Sequence, residues 1–318
     1  MRTALPLLIA LTLSASSAWG WGCDGHQIIA LIARAHLTPA ASAAVDRLLR
    51  ENPVDPSLNR FCKDHPNDLM ADAATWADDE RTVARTTEDW HYIDIPLAVP
   101  TGSVPESDAM KWCPKPPGGS PGCVVAAIDY ERLIVIDRAR SAADRTAALR
   151  YLIHFIGDIA QPLHDVENRD HGGNCTSMTF FSSGKPQNLH SIWDSQLIVR
   201  DLEMTNANDA QYARKLDESF GERWPQWGES GSAPRAWAWE GHKLAGEVAY
   251  GSLKPQIPVE SATAEPTDQD ACNAERDKVA ALHILIDDAY AAQAMPVIRE
   301  QLAKAGYRLA GLLNQTFR

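Results

Sequence analysis

What this 318-residue chain lacks closes off several classes of function. No Cys-x-x-Cys pair occurs, so zinc modules built on thiolates are not expected. Basic residues are outnumbered, 30 Lys and Arg against 42 Asp and Glu, for a net charge of −12. Nonspecific duplex affinity comes from basic surface, so a protein that coats duplex is excluded, and any anionic substrate has to be attracted locally. No apolar run approaches the roughly 20 residues needed to cross a bilayer. Neither a series of strands nor a repeat period is present, which removes sandwiches, barrels and solenoids. With 45% hydrophobic and 23% charged residues, the composition is that of a globular protein.

The first twenty residues have their own pattern: Arg2, an apolar run from Ala4 to Leu13 about half of bilayer length, then small residues with Ala18 and Gly20 at the end. This is the form of a secretory signal peptide cut after Gly20, leaving residues 21–318 as one exported domain, secreted or periplasmic. Six cysteines follow, and an even number in an exported protein points to three disulfides. Spacing leaves the pairing open; the working expectation is Cys23–Cys62, Cys113–Cys123 and Cys175–Cys272.

Helical periodicity dominates the remainder. Helices are expected over Gly25 to Ala35 and, behind a Thr38 cap with Pro39 at the first position, over Ala40 to Arg50. Others are expected at Asn67 to Asp78, Val124 to Ala139, Ala143 to Leu163, Leu189 to Asp201 and Ala233 to Gly251. A last helix should run from Cys272 to Leu313, broken near Pro296. Trp90 to Ile95 alternates like a short extended piece, Pro96 to Gly122 is a proline-punctuated loop, and Met178 to Phe181 can form a strand. The fold class is all-α, mainly helical, with short strands in loops and disulfide support.

Two helical His-x-x-x-Asp units carry the strongest chemical signal: His154 with Asp158, and His190 with Asp194. Residues four apart share a helix face, so each unit aims an imidazole and a carboxylate at one spot. His164, just past Pro162, lies between them. Imidazole nitrogen and carboxylate oxygen are zinc ligands, and together these groups suggest a metal site. His36, His65, His171, His242 and His283 lack a partner at ligand spacing and are read as surface or core residues. Trp224, Trp227, Trp237 and Trp239 are read as core or rim.

Six blocks extend this pattern along the chain: Trp21-Gly22-Cys23-Asp24-Gly25-His26, Trp76-Ala77-Asp78, Trp90-His91-Tyr92-Ile93-Asp94, His154 through His164, Gly172-Gly173-Asn174, and His190-Ser191-Ile192-Trp193-Asp194. In this order they resemble the S1/P1 nuclease family, whose members are secreted, mostly helical enzymes with three zinc ions. The resemblance implies one zinc on Asp78, His91, His154 and Asp158, and a second on His164, His190 and Asp194. It implies a third on His26, Asp158 and the α-amino nitrogen and carbonyl oxygen of Trp21, with Asp158 bridging. A free α-amine at Trp21 exists only once the signal peptide is gone. Asp78 is selected over Asp79 and Glu80 only by Trp76 two residues earlier.

Further roles follow from the same blocks. Asp78 can orient an attacking water, and Arg81, three residues on, can stabilise phosphate charge. Tyr92 offers a stacking face, Asp94 accepts from base edges, and Asn174 both donates and accepts. Stacking on an unpaired base favours single strands. Asn174-Cys175-Thr176 also fits a glycosylation pattern, but the Cys-bearing turn argues against modification. The leading expectation is a zinc-dependent nuclease that cleaves single-stranded DNA and RNA to 5′-mononucleotides, with 3′-nucleotidase activity. It should act as a monomer, with no membrane and no stable protein partner. The alternatives are a zinc phospholipase C and a noncatalytic exported zinc-binding protein. The first should show a clustered apolar rim, and the second closed metal shells.

Overall fold

The structure, a computed structural model, describes residues 21–63, 67–83, 85–102, 105–229, 233–261 and 268–318. The expected signal peptide and His65 lie outside the described residues.

Helices begin where local chemistry directs them. Thr38 accepts a hydrogen bond from the Ala41 amide, and Pro39 stands first in α2 (Pro39–Glu51). Ser141 likewise accepts from Asp144 at the start of α6 (Ala142–Asp158). Such caps contribute about 1 kcal/mol each. Helix α1 (Cys23–Ala35) lies along the long C-terminal helix α12 (Asp288–Thr316), and α5 (Val124–Ile136) lies along α6. From Thr146 to Asp158 nearly every residue of α6 is buried, the expected fate of a helix with apolar residues on every side. One apolar cluster runs through these elements from Trp21 to Leu313.

Several boundaries differ from the sequence pattern. Residues 67–78 form two short helices, α3 (Leu69–Ala73) and α4 (Trp76–Arg81), and Asp68 caps the first. Trp90 and His91 close a 3₁₀ segment (Arg85–His91) rather than a strand, and a second such segment (Glu106–Trp112) interrupts the proline loop. Helix α6 stops at Asp158 instead of Leu163, because Pro162 drives Gln161 out of helical backbone and opens a 3₁₀ turn (Pro162–His164). The expected Leu189 to Asp201 helix is α7 (Leu189–Ser191), a π turn (Ile192–Gln196) and α8 (Leu197–Thr205).

Helix α9 (Asp209–Phe220) was not anticipated. Helix α10 (Pro234–Leu244) gives way to a π turn (Ala245–Ala249). The break in the last helical region falls between α11 (Gln269–Ala280) and α12, while Pro296 lies inside α12. That break holds β3 (Leu285–Ile286), which pairs parallel with β1 (Met178–Phe180); β2 (Pro186–Gln187) pairs antiparallel on the other side. The disulfides are Cys23–Cys62, Cys113–Cys123 and Cys175–Cys272, as expected.

Candidate metal centre and its pocket

The end of α6 supplies His154 and Asp158, both fully enclosed. His154 Nδ1 donates to the Ala74 carbonyl at 2.7 Å, which aims its Nε2 inward. That Nε2 lies 3.1 Å from Asp158 Oδ2, 3.2 Å from His91 Nδ1 and 3.6 Å from Asp78 Oδ1. His91 Nδ1 is itself 2.9 Å from Asp158 Oδ2 and 3.7 Å from Asp78 Oδ1. On the other side, His26 Nε2 stands 3.3 Å from Asp158 Oδ1, its ring stacked on His154 at 3.9 Å between centroids. Gly157 makes room for that ring, since a Cβ there would meet His26 Nδ1 at 2.7 Å.

A second group forms where the turn after α6 meets α7. His164 Nδ1 donates to the His91 carbonyl and His190 Nδ1 to the Gly172 carbonyl, both at 2.7 Å. The two Nε2 atoms therefore face each other as bare lone pairs, 3.1 Å apart, with Asp194 Oδ2 3.4 Å from His190 Nε2. Such an arrangement is repulsive unless a cation sits among the three atoms. Gly172, at φ 57°, is required here: a Cβ would meet the Leu163 carbonyl at 2.3 Å.

Electrostatics separate the two carboxylates. Around Asp158, burial opposes ionisation, yet His154, His26 and His91 outweigh it and hold the carboxyl well below the usual range. At Asp194 no imidazole outweighs burial. Burial pushes it well above that range, with the Gln161 amide, 2.5 Å from Oδ1, offsetting only part. Burial lowers His91 to about 4, and burial with neighbouring His164 lowers His190 to about 3, so both rings stay neutral and ligand-competent. Burial also opposes charge on His154, but Asp158 and Asp78 overcome it and raise the ring to about 9. The paired carboxylates thus draw a positive charge to this point.

Three sets of metal-competent atoms result: His26, His154 and Asp158; Asp78, His91 and His154; and His164, His190 and Asp194. Donor types, buried oxygen and nitrogen atoms without partners, and facing lone pairs all suit divalent zinc. Trp21, fully buried, packs beside this centre: its Cβ would lie 2.7 Å from a Cβ at Gly25, and the next amide, Gly22, donates to the Asp194 carbonyl at 2.8 Å. A fourth set, His171 with Cys175 and Cys272, uses disulfide sulfurs and offers no thiolate.

The centre opens into a cavity of about 310 Å³ lined by His91, His164, His190 and Arg81, and also by Tyr92, Asp94 and Asn174. Arg81 is buried, with Nε 3.7 Å from Asp78 Oδ1. The Tyr92 hydroxyl donates to Asp89 at 2.9 Å, and Asn174 Nδ2 donates to the His171 carbonyl at 2.9 Å. Asp94 touches solvent but sits in a concave wall; partial desolvation, then Glu167 and Asp89, push its carboxyl up to about 7.

Residues beyond the expected set also line the cavity: Glu88, His171, Gln269 and Arg276. Gln161 was also missed. Its side chain caps the 3₁₀ turn at Leu163 and holds Asp194, a dual role announced only by its place before Pro162. Of the other histidines, His36 bonds Asp217 at 2.7 Å and His242 donates to the Val99 carbonyl at 2.9 Å, whereas His171 stands on the cavity wall. Trp237 and Trp239 are core, while Trp224 and Trp227 pack at its edge.

The S1/P1 Nuclease family model matches residues 21–318 of this chain. Nuclease PA3 of a Penicillium species and Nuclease P1 of Penicillium citrinum are each 29% identical over 304 residues, 93% of this chain and 97% of theirs. Nuclease S1 of Aspergillus oryzae is 27% identical over 319 residues, 99% of this chain and 98% of its own.

Proposed function

This chain belongs to the S1/P1 nuclease family, and on that premise we propose that it is a secreted zinc-dependent phosphodiesterase. Its substrates are single-stranded DNA and RNA, cut to 5′-mononucleotides, and it removes 3′-phosphates from nucleotides. The observation that carries this reading is the pair of proton-free imidazole nitrogens, His164 and His190, held face to face beside Asp194 at the foot of an open cavity.

The proposed holding sets are Asp78, His91, His154 and Asp158; His164, His190 and Asp194; and His26 and Asp158 with the Trp21 amine and carbonyl. The last set requires the first twenty residues to be removed, and the family match itself starts at Trp21. Zinc bound there supplies Lewis-acid polarisation of a phosphodiester and lowers the pKa of water toward neutrality. Asp78 orients the attacking water, and Arg81 donates to the phosphate. Tyr92 stacks on the base, while Asp94 and Asn174 hydrogen-bond its edge, which requires an unpaired strand. The chain works as a monomer in this scheme, at no membrane surface. Among the described residues no helix is long and apolar enough to cross a membrane.

The test pairs metal analysis with hydrolysis of a single-stranded oligonucleotide and of a short-chain phospholipid, before and after chelation. We expect about three zinc per chain and oligonucleotide cleavage that chelation abolishes and zinc restores. Hydrolysis that survives chelation, or turnover of the phospholipid alone, would overturn the proposal.

A further inference from the structure

Helix α11 forms one wall of the cavity. Gln269, Cys272 and Arg276 share a helix face by their three- and four-residue spacing, and all three line the space. Cys272 is bonded to Cys175, the neighbour of Asn174, so this face is tied covalently to the loop that carries a base contact. Arg276 lies one turn beyond that tether. Its Nη2 is 3.4 Å from the Asn174 carbonyl and 3.8 Å from Cys272 Sγ, and Nη1 is 3.2 Å from Asn273 Oδ1. All three partners are neutral and two of the contacts are long. Among the described residues no carboxylate lies within ion-pair distance of this guanidinium, although the chain carries a net charge of −12.

The cavity therefore holds two arginines with different stations. Arg81 stands beside Asp78 at the metal centre, where a phosphate would be bound. Arg276 stands beside Asn174, on the base side. A guanidinium in that place presents a planar pair of donors, while Asp94 presents a planar pair of acceptors. Guanine fits both at once: O6 and N7 accept from arginine, and N1–H and N2–H donate to a carboxylate. Adenine carries a donor where guanine has O6, and the pyrimidines lack N7.

We propose that Arg276 is a specificity-determining residue that, together with Asp94 in the same lining, selects guanine as the base seated in this cavity. The inference rests on the nuclease reading above and adds the preferred base.

The test compares the zinc-loaded chain of residues 21–318 with its Arg276→Gln and Arg276→Lys variants on the dinucleoside monophosphates GpU, ApU, CpU and UpU. The wild type should favour GpU by about tenfold in kcat/KM, the low end of discrimination by one bidentate arginine. Arg276→Gln should erase that preference through KM, with kcat and the other three substrates little changed, and Arg276→Lys should keep part of it. A separate binding measurement should find 5′-GMP held more tightly than 5′-AMP by the wild type and not by Arg276→Gln. A wild type indifferent to the base, or an equal loss on all four substrates, would overturn the assignment, the latter indicating a phosphate contact. Absence of turnover on every substrate would defeat the nuclease reading, and the nucleotide-binding comparison would still decide the role of Arg276.

Discussion

In the metal centre that forms the floor beneath the cavity, His154, His164 and His190 are enclosed, and each donates a hydrogen bond from Nδ1 to a main-chain carbonyl. On the wall Tyr92 rests on the side chain of Asp89, Arg276 holds neutral groups at long range, and Asp94 touches solvent. Floor orientation is thus enforced by the path of the backbone, whereas wall orientation depends on a few side-chain bonds. Substitutions below should cost metal and turnover. Substitutions on the wall should change which substrate binds and leave the centre intact.

The largest effect is expected for Asp158→Asn. The carboxylate faces three imidazoles, so losing its charge while keeping its shape should lower the metal content of two groups. The fall in kcat should exceed the roughly 10–100-fold typical of losing an outer-shell partner. Full metal content with unchanged kcat would erase the distinction between floor and wall.

Gln161→Leu comes next. It removes the donor to Asp194 and the cap on Leu163 without touching a ligand of the other groups. Affinity for a single zinc should drop by about 10–100-fold, measured by competition with a chelator. A uniform loss over every metal would mean that the floor behaves as one inseparable unit.

The smallest effect belongs to the wall. Desolvation in the pocket raises the Asp94 carboxyl to about 7, so its ionised, accepting form declines as pH falls below that value. KM should therefore rise on acidification, approaching about tenfold per pH unit well below 7, with kcat less affected. Asp94→Asn should remove this inflection. An inflection that persists in the variant would assign it to another group.

Much of this was legible because the signals are local. Thr38 with Pro39 announces α2, and a strongly apolar stretch announces α6. The two His-x-x-x-Asp units show themselves by spacing alone, although the second straddles a π turn that periodicity does not encode. Other features depend on tertiary context. Helix α9 buries only Tyr212, Ala213 and Leu216, too thin a stripe to stand out, though the Asn208 and Gln211 capping box marked its start. Pro296 suggested a break, but α12 packs along α1 and continues through it, whereas the true interruption is the segment carrying β3. The contributions of Gln161 and Arg276 come from contacts across the fold that no spacing rule anticipates.

His91 links the metal-competent sets on either side of it, the one around Asp158 with its ring and the one around His190 through its carbonyl, which accepts a hydrogen bond from His164 Nδ1. One residue thus acts as a caliper whose jaws are a side chain and a peptide oxygen. The gap it spans is as rigid as a single amino acid, which removes the need for any longer strut between the two groups.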